Sequence, residues 1–170
     1  MAKAGPSAYR IEPLGDQHNR AVFSCGAETL DRYFHTQAGQ DSRKRVASCF
    51  VLVAEDGSVA GYYTLSAASI VLADLPLEIA KGLPRYPAVP ATLMGRLAVG
   101  RQWQGHGLGE LLLFDAFSRT LRSEIASYAF LVDAKDDAAR AFYEHYRFMR
   151  FPGPGKRLFL PLAEIAALFG

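Results

Sequence analysis

The sequence predicts an α/β fold built on a mixed, mostly antiparallel sheet, and three stretches predict it. Residues 93–117 (LMGRLAVGRQWQGHGLGELLLFDAF) run from a short apolar segment, Leu97-Ala98-Val99, through a glycine-rich turn into a helical repeat carrying Leu108, Leu111, Leu112 and Phe117. Residues 47–69 read as two strands joined at Asp56-Gly57, a dipeptide that hairpin turns prefer. Residues 127–160 bring another apolar strand, a helix and a closing hairpin.

Taken in order, residues 1–7 read as frayed and Tyr9–Leu14 alternates as a first strand. Glu28–Gln40 reads as one amphipathic helix on Leu30, Tyr33, Phe34 and Ala38, with Ser24 or Thr29 as candidate caps. It runs out near Asp41–Arg45. Strands at Ala47–Ala54 and Val59–Ser69 follow. Pro76, Pro84, Pro87 and Pro90 break residues 71–92 into a long surface excursion, with room for a short helix at Leu77–Lys81. After the central strand, turn and helix come a buried strand at Ser127–Val132 and a helix from Asp136-Asp137 to Tyr146. A hairpin (148–151 with 157–160) and a final short helix at Leu162–Phe169 complete the chain.

A chain of 170 residues is long enough for one well-buried core, so a single domain over residues 1–170 is expected. No apolar run approaches the ~20 residues a membrane helix needs, and MAKAGPSAYR lacks the apolar core of a signal peptide. Cys25 and Cys49 stand without metal-ligand spacing and read as two thiols in a reducing compartment, which points to the cytoplasm. Net charge is only +2. Arg43-Lys44-Arg45 is the one contiguous basic run, open to two readings: a solvated helix end or part of a nucleic-acid surface.

A glycine turn at the start of a helix is an arrangement for holding a phosphate, because the first turn has unpaired N–H groups and a partial positive charge. The lysine of a GxxxxGK mononucleotide loop is missing, and Gly105, Gly107 and Gly109 read GxGxG, not the dinucleotide GxGxxG. Asp133, at the end of the next strand, keeps a ribose-binding dinucleotide fold open as a competitor. Gln104-x-x-Gly107-x-Gly109 resembles the Gln/Arg-x-x-Gly-x-Gly/Ala signature of the GNAT acetyltransferases, which wrap this loop round the pyrophosphate of acetyl-CoA.

The resemblance reaches most of the chain and is specifically to the GNAT-type toxins of bacterial toxin–antitoxin pairs. It is carried by Phe23-x-Cys25, Leu30-Asp31-x-Tyr33, Gly61-Tyr62-Tyr63-Thr64-Leu65-Ser66, Leu83-Pro84-Arg85-Tyr86-Pro87, Gly95-Arg96-Leu97-Ala98-Val99, Val132-Asp133-Ala134-Lys135 and Ala141-Phe142-Tyr143. It implies a GNAT fold, with the strand of Leu97, Ala98 and Val99 splayed from its parallel neighbour. Pantetheine would pair with the backbone of Leu97 and Val99, the pyrophosphate would sit on the amides of Gln104, Gly105, His106, Gly107, Leu108 and Gly109, and Ala139 and Phe142 would flank the thiol end. The acceptor would be the α-amino group of an aminoacyl-tRNA, whose acetylation stops translation.

Tyr143 is then the candidate general acid for the departing thiolate: a phenol near pKa ~10 is protonated at neutral pH. The acceptor amine, with a pKa of about 7.7–8, needs no strong base. His18, His35, His106 and His145 show no ligand spacing, so no metal is expected. Arg147 stands where the family usually has glycine, a position that favours a left-handed helix cap. Arg43, Lys44, Arg45, Arg85 and Arg96 are candidates for tRNA phosphates, and Tyr62–Ser69 with Leu83–Pro87 for the amino-acid pocket. Implied partners are a ribbon-helix-helix antitoxin, operator DNA through that complex only, and a second copy of the chain. Two other readings remain: the same chemistry on a small amine or protein N-terminus, and CoA binding without transfer.

Overall fold

The computed structural model describes residues 8–169, so the expectation for residues 1–7 lies outside the described residues. Seven strands form one sheet in the order β1-β2-β3-β4-β5-β7-β6: β1 (Arg10–Pro13), β2 (Ser48–Val53), β3 (Val59–Val71), β4 (Ala88–Val99), β5 (Ala129–Asp133), β6 (Met149–Arg150) and β7 (Arg157–Pro161). The helices are α1 (Glu28–Thr36), α2 (Ala38–Arg43), α3 (Leu77–Ala80), α4 (Leu108–Arg122), α5 (Asp137–His145) and α6 (Leu162–Phe169). β4 and β5 are parallel, Ala91–Met94 against Ala129–Val132, while β1–β2, β2–β3, β5–β7 and β6–β7 are antiparallel. This is the mixed sheet expected, with β4 continuing through Gly95–Val99 past its register with β5.

The chain divides into two compact units, one of residues 8–66 and 95–116, the other of 67–94 and 117–169. In the first, Phe34 stacks on Tyr62 with ring centroids 4.4 Å apart, and Phe23 meets both edge-on. Burying three such rings supplies much of this unit's cohesion, and the Tyr62 hydroxyl is satisfied by donating to the Leu30 carbonyl at 2.7 Å. Gly61 on β3 is required by packing: a Cβ there would stand 2.7 Å from the Ala98 carbonyl oxygen. In the second unit Ile70, Leu75, Val89, Leu131 and Phe159 form one buried cluster, and Phe117, Phe130 and Phe148 pack as a ring triad.

Three local expectations change. The helix read over Glu28–Gln40 breaks at Gln37, where φ is −117° and α2 starts afresh. The Thr36 hydroxyl bonds back to the Arg32 carbonyl at 2.7 Å, a competitor for helix continuation, and the Gln37 side chain turns to Asp41. Neither Ser24 nor Thr29 caps α1. Its N-cap is Ala27 without a side-chain bond, and Asp31 instead reaches back to accept the Cys25 N–H at 2.8 Å. Finally, β4 begins at Ala88, inside the stretch read as a surface excursion. Pro90 is tolerated in the strand because it is exposed and needs no donor there, while its carbonyl accepts from the Tyr128 N–H at 2.8 Å.

Candidate functional site

In the first unit β4 ends at Val99 and a single 3-10 turn, Arg101–Trp103, leads into the glycine loop. The turn is anchored at its start: the Gly100 N–H donates to Ala60 O and the Arg101 N–H to Ser24 O, each at 2.8 Å. Gln104, the first residue of the signature, uses its side-chain amide as a clamp on the Cys25 carbonyl at 2.8 Å and the Val99 carbonyl at 2.9 Å. Its backbone N–H bends to Arg101 O at 3.4 Å.

Gly105 and Gly107 then adopt φ of +82° and +77°, which L side chains resist, and nothing lies within 4 Å of where a Cβ would stand on either. Among the described residues no backbone carbonyl takes the N–H groups of Gly105, His106, Gly107, Leu108 or Gly109. Gly105, His106 and Gly107 are exposed at the N-terminus of the 15-residue α4, the geometry an anion needs. Leu97 and Val99 are half-buried at the end of β4 and Ala98 is buried.

The second unit holds the candidate acid. α5 is capped by the Asp136 carboxylate, which accepts the Ala139 N–H at 2.8 Å. Phe142 and Tyr143 follow on that helix, their rings in edge contact, and Tyr143 also meets Phe148 at 5.4 Å. Tyr143 is only 6% exposed, and among the described residues its hydroxyl has no protein partner. Burial first, and then the negative charge of Asp133, pushes its pKa well above the usual tyrosine range, so the group is a neutral proton donor at any physiological pH. Asp133 itself is gripped by Arg157 through two bonds of 2.8 and 3.0 Å. α5 ends at Tyr146, and Arg147 takes the left-handed turn, φ +73°, that glycine usually provides.

The candidate basic residues fall into different settings. Arg43, Lys44 and Arg45 are exposed at the C-terminal end of α2, in the first unit. Arg96 lies 3.5 Å over the Tyr33 ring, and Tyr33 in turn donates its hydroxyl to Asp41 at 2.8 Å, so Arg96 is oriented by a cation–π contact. Asp41 is held below the usual carboxylate range, chiefly by the Gln37 amide. Arg20 was not legible as part of this group because it is isolated in sequence, yet its guanidinium and that of Arg43 both overlie Gly39. Arg85 is exposed in the second unit.

Two histidines are committed to structure: His18 accepts from the Gly15 N–H and bonds Glu12 at 2.6 Å, and His35 bonds the Phe23 carbonyl. Among the described residues no cluster of three His, Cys, Asp or Glu side chains forms a metal set, and no helix is long and apolar enough to cross a membrane.

A cavity of about 460 Å³ lies within the second unit, lined by Ser69, Val71, Leu131, Asp133, Phe151 and the loop 152–157, with Ile70 and Asp74. Of the stretches expected to form an amino-acid pocket, Ser69 alone is on its wall. Tyr62, Tyr63 and Thr64 are buried, and Leu83 packs against the Ile70 cluster. The hairpin loop 152–157 supplies the far wall, with Gly153 and Gly155 at φ of +91° and +144°; the PGPG run was its only sequence signal.

Comparison with known proteins bears on both halves. Residues 16–148 match the model of the acetyltransferase (GNAT) family. A tRNA-acetylating toxin of Mycobacterium tuberculosis is 37% identical over 159 residues, covering 92% of this chain and 94% of that protein. A probable toxin TacT of Sinorhizobium fredii is 31% identical over the full length of both. Among solved structures, a tyrosine-to-phenylalanine mutant of KacT superposes with TM-score 0.88 at 27% identity, covering 95% of this chain and 99% of that one. AtaT complexed with acetyl-methionyl-tRNAfMet gives TM-score 0.85 at 29% identity, with the same coverage. Further structures of these two systems hold acetyl-CoA, the C-terminus of the antitoxin AtaR, or DNA.

Proposed function

The chain belongs to the acetyltransferase (GNAT) family, and on that premise we propose that it is a toxin transferring the acetyl group of acetyl-CoA to the α-amino group of an aminoacyl-tRNA. The observation that carries the reading is the turn at 104–109: two left-handed glycines with open space before them, untaken amides, a helix N-terminus behind, and a glutamine clamp that keeps the turn in shape. This cradle fits the pyrophosphate of acetyl-CoA, with Leu97, Ala98 and Val99 offering strand backbone to the pantetheine and Ala139 and Phe142 beside the thiol end.

Acetyl-CoA supplies the activated acetyl thioester, whose C–S bond breaks as the C–N bond to the amine forms. Tyr143 gives its hydroxyl proton to the departing sulfur and regains one from solvent, while the nitrogen's surplus proton leaves to water. The neutral state enforced on Tyr143 by burial suits that role. Arg43, Lys44, Arg45, Arg85 and Arg96, joined by Arg20, supply positive charge for tRNA phosphates. The whole chain acts as one domain, since β3 and β4 each contribute residues to both units.

The reading extends to a cognate antitoxin of the ribbon-helix-helix class, to operator DNA bound through that antitoxin, to a homodimer, and to the cytoplasm as the site of action. Relatives captured with an antitoxin tail and, as a toxin–antitoxin complex, with DNA support an antitoxin partner and DNA bound through it. The test is transfer of labelled acetyl from acetyl-CoA to a pool of charged tRNAs against the same pool uncharged. Label on charged tRNA alone is the expected result. Acetyl-CoA binding without label on either pool would turn the assignment toward a small amine or a protein N-terminus.

A further inference from the structure

We infer that Tyr33 and Gln37 are positioning residues: they occupy both oxygens of Asp41 and so keep the Arg96 guanidinium, held over the Tyr33 ring, open to an RNA phosphate. This rests on tRNA being the substrate proposed above, and names what makes Arg96 a phosphate contact.

Arg96 and Ala98 share a face of β4, because strand side chains alternate. Ala98 packs there in one buried cluster with Tyr33, Phe34 and Tyr62, so Arg96 leaves the strand on the side that α1 covers. It is half-buried, and its Cζ lies 3.5 Å from the centroid of the Tyr33 ring. A guanidinium held through its face keeps its edge, where its N–H donors lie, for acceptors. Among the described residues none of those donors has an acceptor, and no carboxylate lies within ion-pair distance of Arg96. A half-buried cation with its donors unspent is set up for an anionic ligand.

Asp41 is the neighbour that could have taken that place. Its Oδ2 accepts the Tyr33 hydroxyl at 2.8 Å and its Oδ1 the Gln37 amide at 2.9 Å. Gln37 first, then Tyr33 and the nearby charge of Arg96, hold Asp41 below the usual carboxylate range, so it is a full anion close to the guanidinium. Without those two neutral donors the pair would close into the fork that arginine and carboxylates favour, and the Arg96 charge would be spent inside the protein. Asp41 also accepts the Val46 N–H through its carbonyl at 2.9 Å, which closes the turn carrying Lys44 and Arg45. One residue thus ties Arg96 and the basic run into one frame. Arg20 and Arg43 overlie α2, with nitrogens 3.0 and 3.2 Å from the point where a Cβ on Gly39 would stand. Neither has a carboxylate partner among the described residues. Cations gathered around α1 and α2 without counter-ions suit a polyanion, and an RNA backbone is one.

The test is binding of an uncharged tRNA pool to the full chain from about 50 to 200 mM salt, with steady-state transfer to charged tRNA and calorimetric binding of acetyl-CoA. Arg96→Ala sets the reference: the slope of log affinity against log salt is expected to flatten by about 0.7–0.9, one phosphate contact. Tyr33→Phe keeps the ring but releases one Asp41 oxygen to Arg96. It is expected to flatten the slope equally, to weaken tRNA binding roughly fivefold and to raise KM for charged tRNA, with kcat and the acetyl-CoA Kd within about twofold of wild type. Tyr33→Phe in the Arg96→Ala background should add nothing. The deciding variant is Asp41→Asn in the Tyr33→Phe background. An amide cannot neutralise Arg96, so slope and affinity should return to within about twofold of wild type, which a merely structural loss would not allow. No change in Tyr33→Phe, no recovery in the double variant, or acetyl-CoA binding lost in step with tRNA would overturn the inference. Binding is read apart from transfer. A wild type that binds tRNA and shows these changes, but labels none of it when charged, sinks the acetylation assignment and upholds the role of Tyr33 and Gln37. A wild type without salt-dependent tRNA binding overturns that role, whatever it acetylates.

Discussion

The glycine loop of the first unit and the β5–α5 region of the second present their functional groups by opposite means. Around Gly105 and Gly107 the working surface is backbone, and the side chains that matter are absent ones: the glycines leave space, and Gln104 acts by fastening the loop to the Cys25 and Val99 carbonyls. Around Tyr143 and Asp133 the backbone is committed to helix and ladder, and the chemistry sits on side chains whose setting was made by burial and by Arg157. A backbone site is specified by which residues permit a conformation, a side-chain site by what surrounds one functional group. Changes to the two should therefore fail differently, one in binding and the other in turnover.

The largest separation is expected from Tyr143→Phe. Removing the hydroxyl while keeping the ring against Phe142 and Phe148 should lower kcat by about 10²–10⁴-fold, the range for a general acid, with the acetyl-CoA Kd unchanged by calorimetry. A kcat within a factor of three of wild type would remove Tyr143 from the chemistry. Gly107→Ala is the mirror experiment. Its Cβ must sit at φ +77° in the open face of the loop, so acetyl-CoA binding should weaken by about tenfold or more while transfer at saturating acetyl-CoA stays near wild type.

The pH profile sharpens the same contrast. The acceptor must be neutral and Tyr143 protonated, so kcat/KM should rise as pH passes the amine pKa of about 7.7–8. The upward shift of Tyr143 removes any alkaline fall due to that group below pH ~10. A fall between pH 8 and 9 would point to another acid. The smallest effect is expected at Arg147. It holds φ +73° with an exposed side chain, so Arg147→Gly should relieve strain and stabilise the fold by roughly 0.5–1 kcal/mol, a Tm rise of about 1–4 °C.

That ordering also tracks what could be read from the sequence. The loop was legible because its conformation demands residue types at fixed spacing, and the Gln104, Gly107 and Gly109 pattern records that demand directly. The hairpin at Asp56-Gly57, the helix start at Asp136-Asp137 and the last helix at Leu162–Phe169 were legible for the same local reason. The break at Gln37 was hidden, since it follows from a Thr36 back-bond and a Gln37–Asp41 contact that helical periodicity does not register. β4 was shortened in the reading because Pro87 and Pro90 signal breaks, and only its partners show that Pro90 has no donor to lose. Pairings distant in sequence, Arg157 with Asp133 and Arg20 beside Arg43, carry no local signature at all.

The placement of the two cysteines has a kinetic consequence. Both belong to the first unit. Cys25 is partly exposed, while Cys49 is 4% exposed and burial pushes its thiol up to about 12. A thiol reagent therefore meets Cys25 directly but reaches Cys49 only when that core transiently opens, because the reactive thiolate is otherwise withheld. The chain thus carries an internal clock: a fast alkylation phase that marks time zero and a slow one that counts openings of the unit bearing the glycine loop, with no thiol elsewhere in the sequence to blur the count.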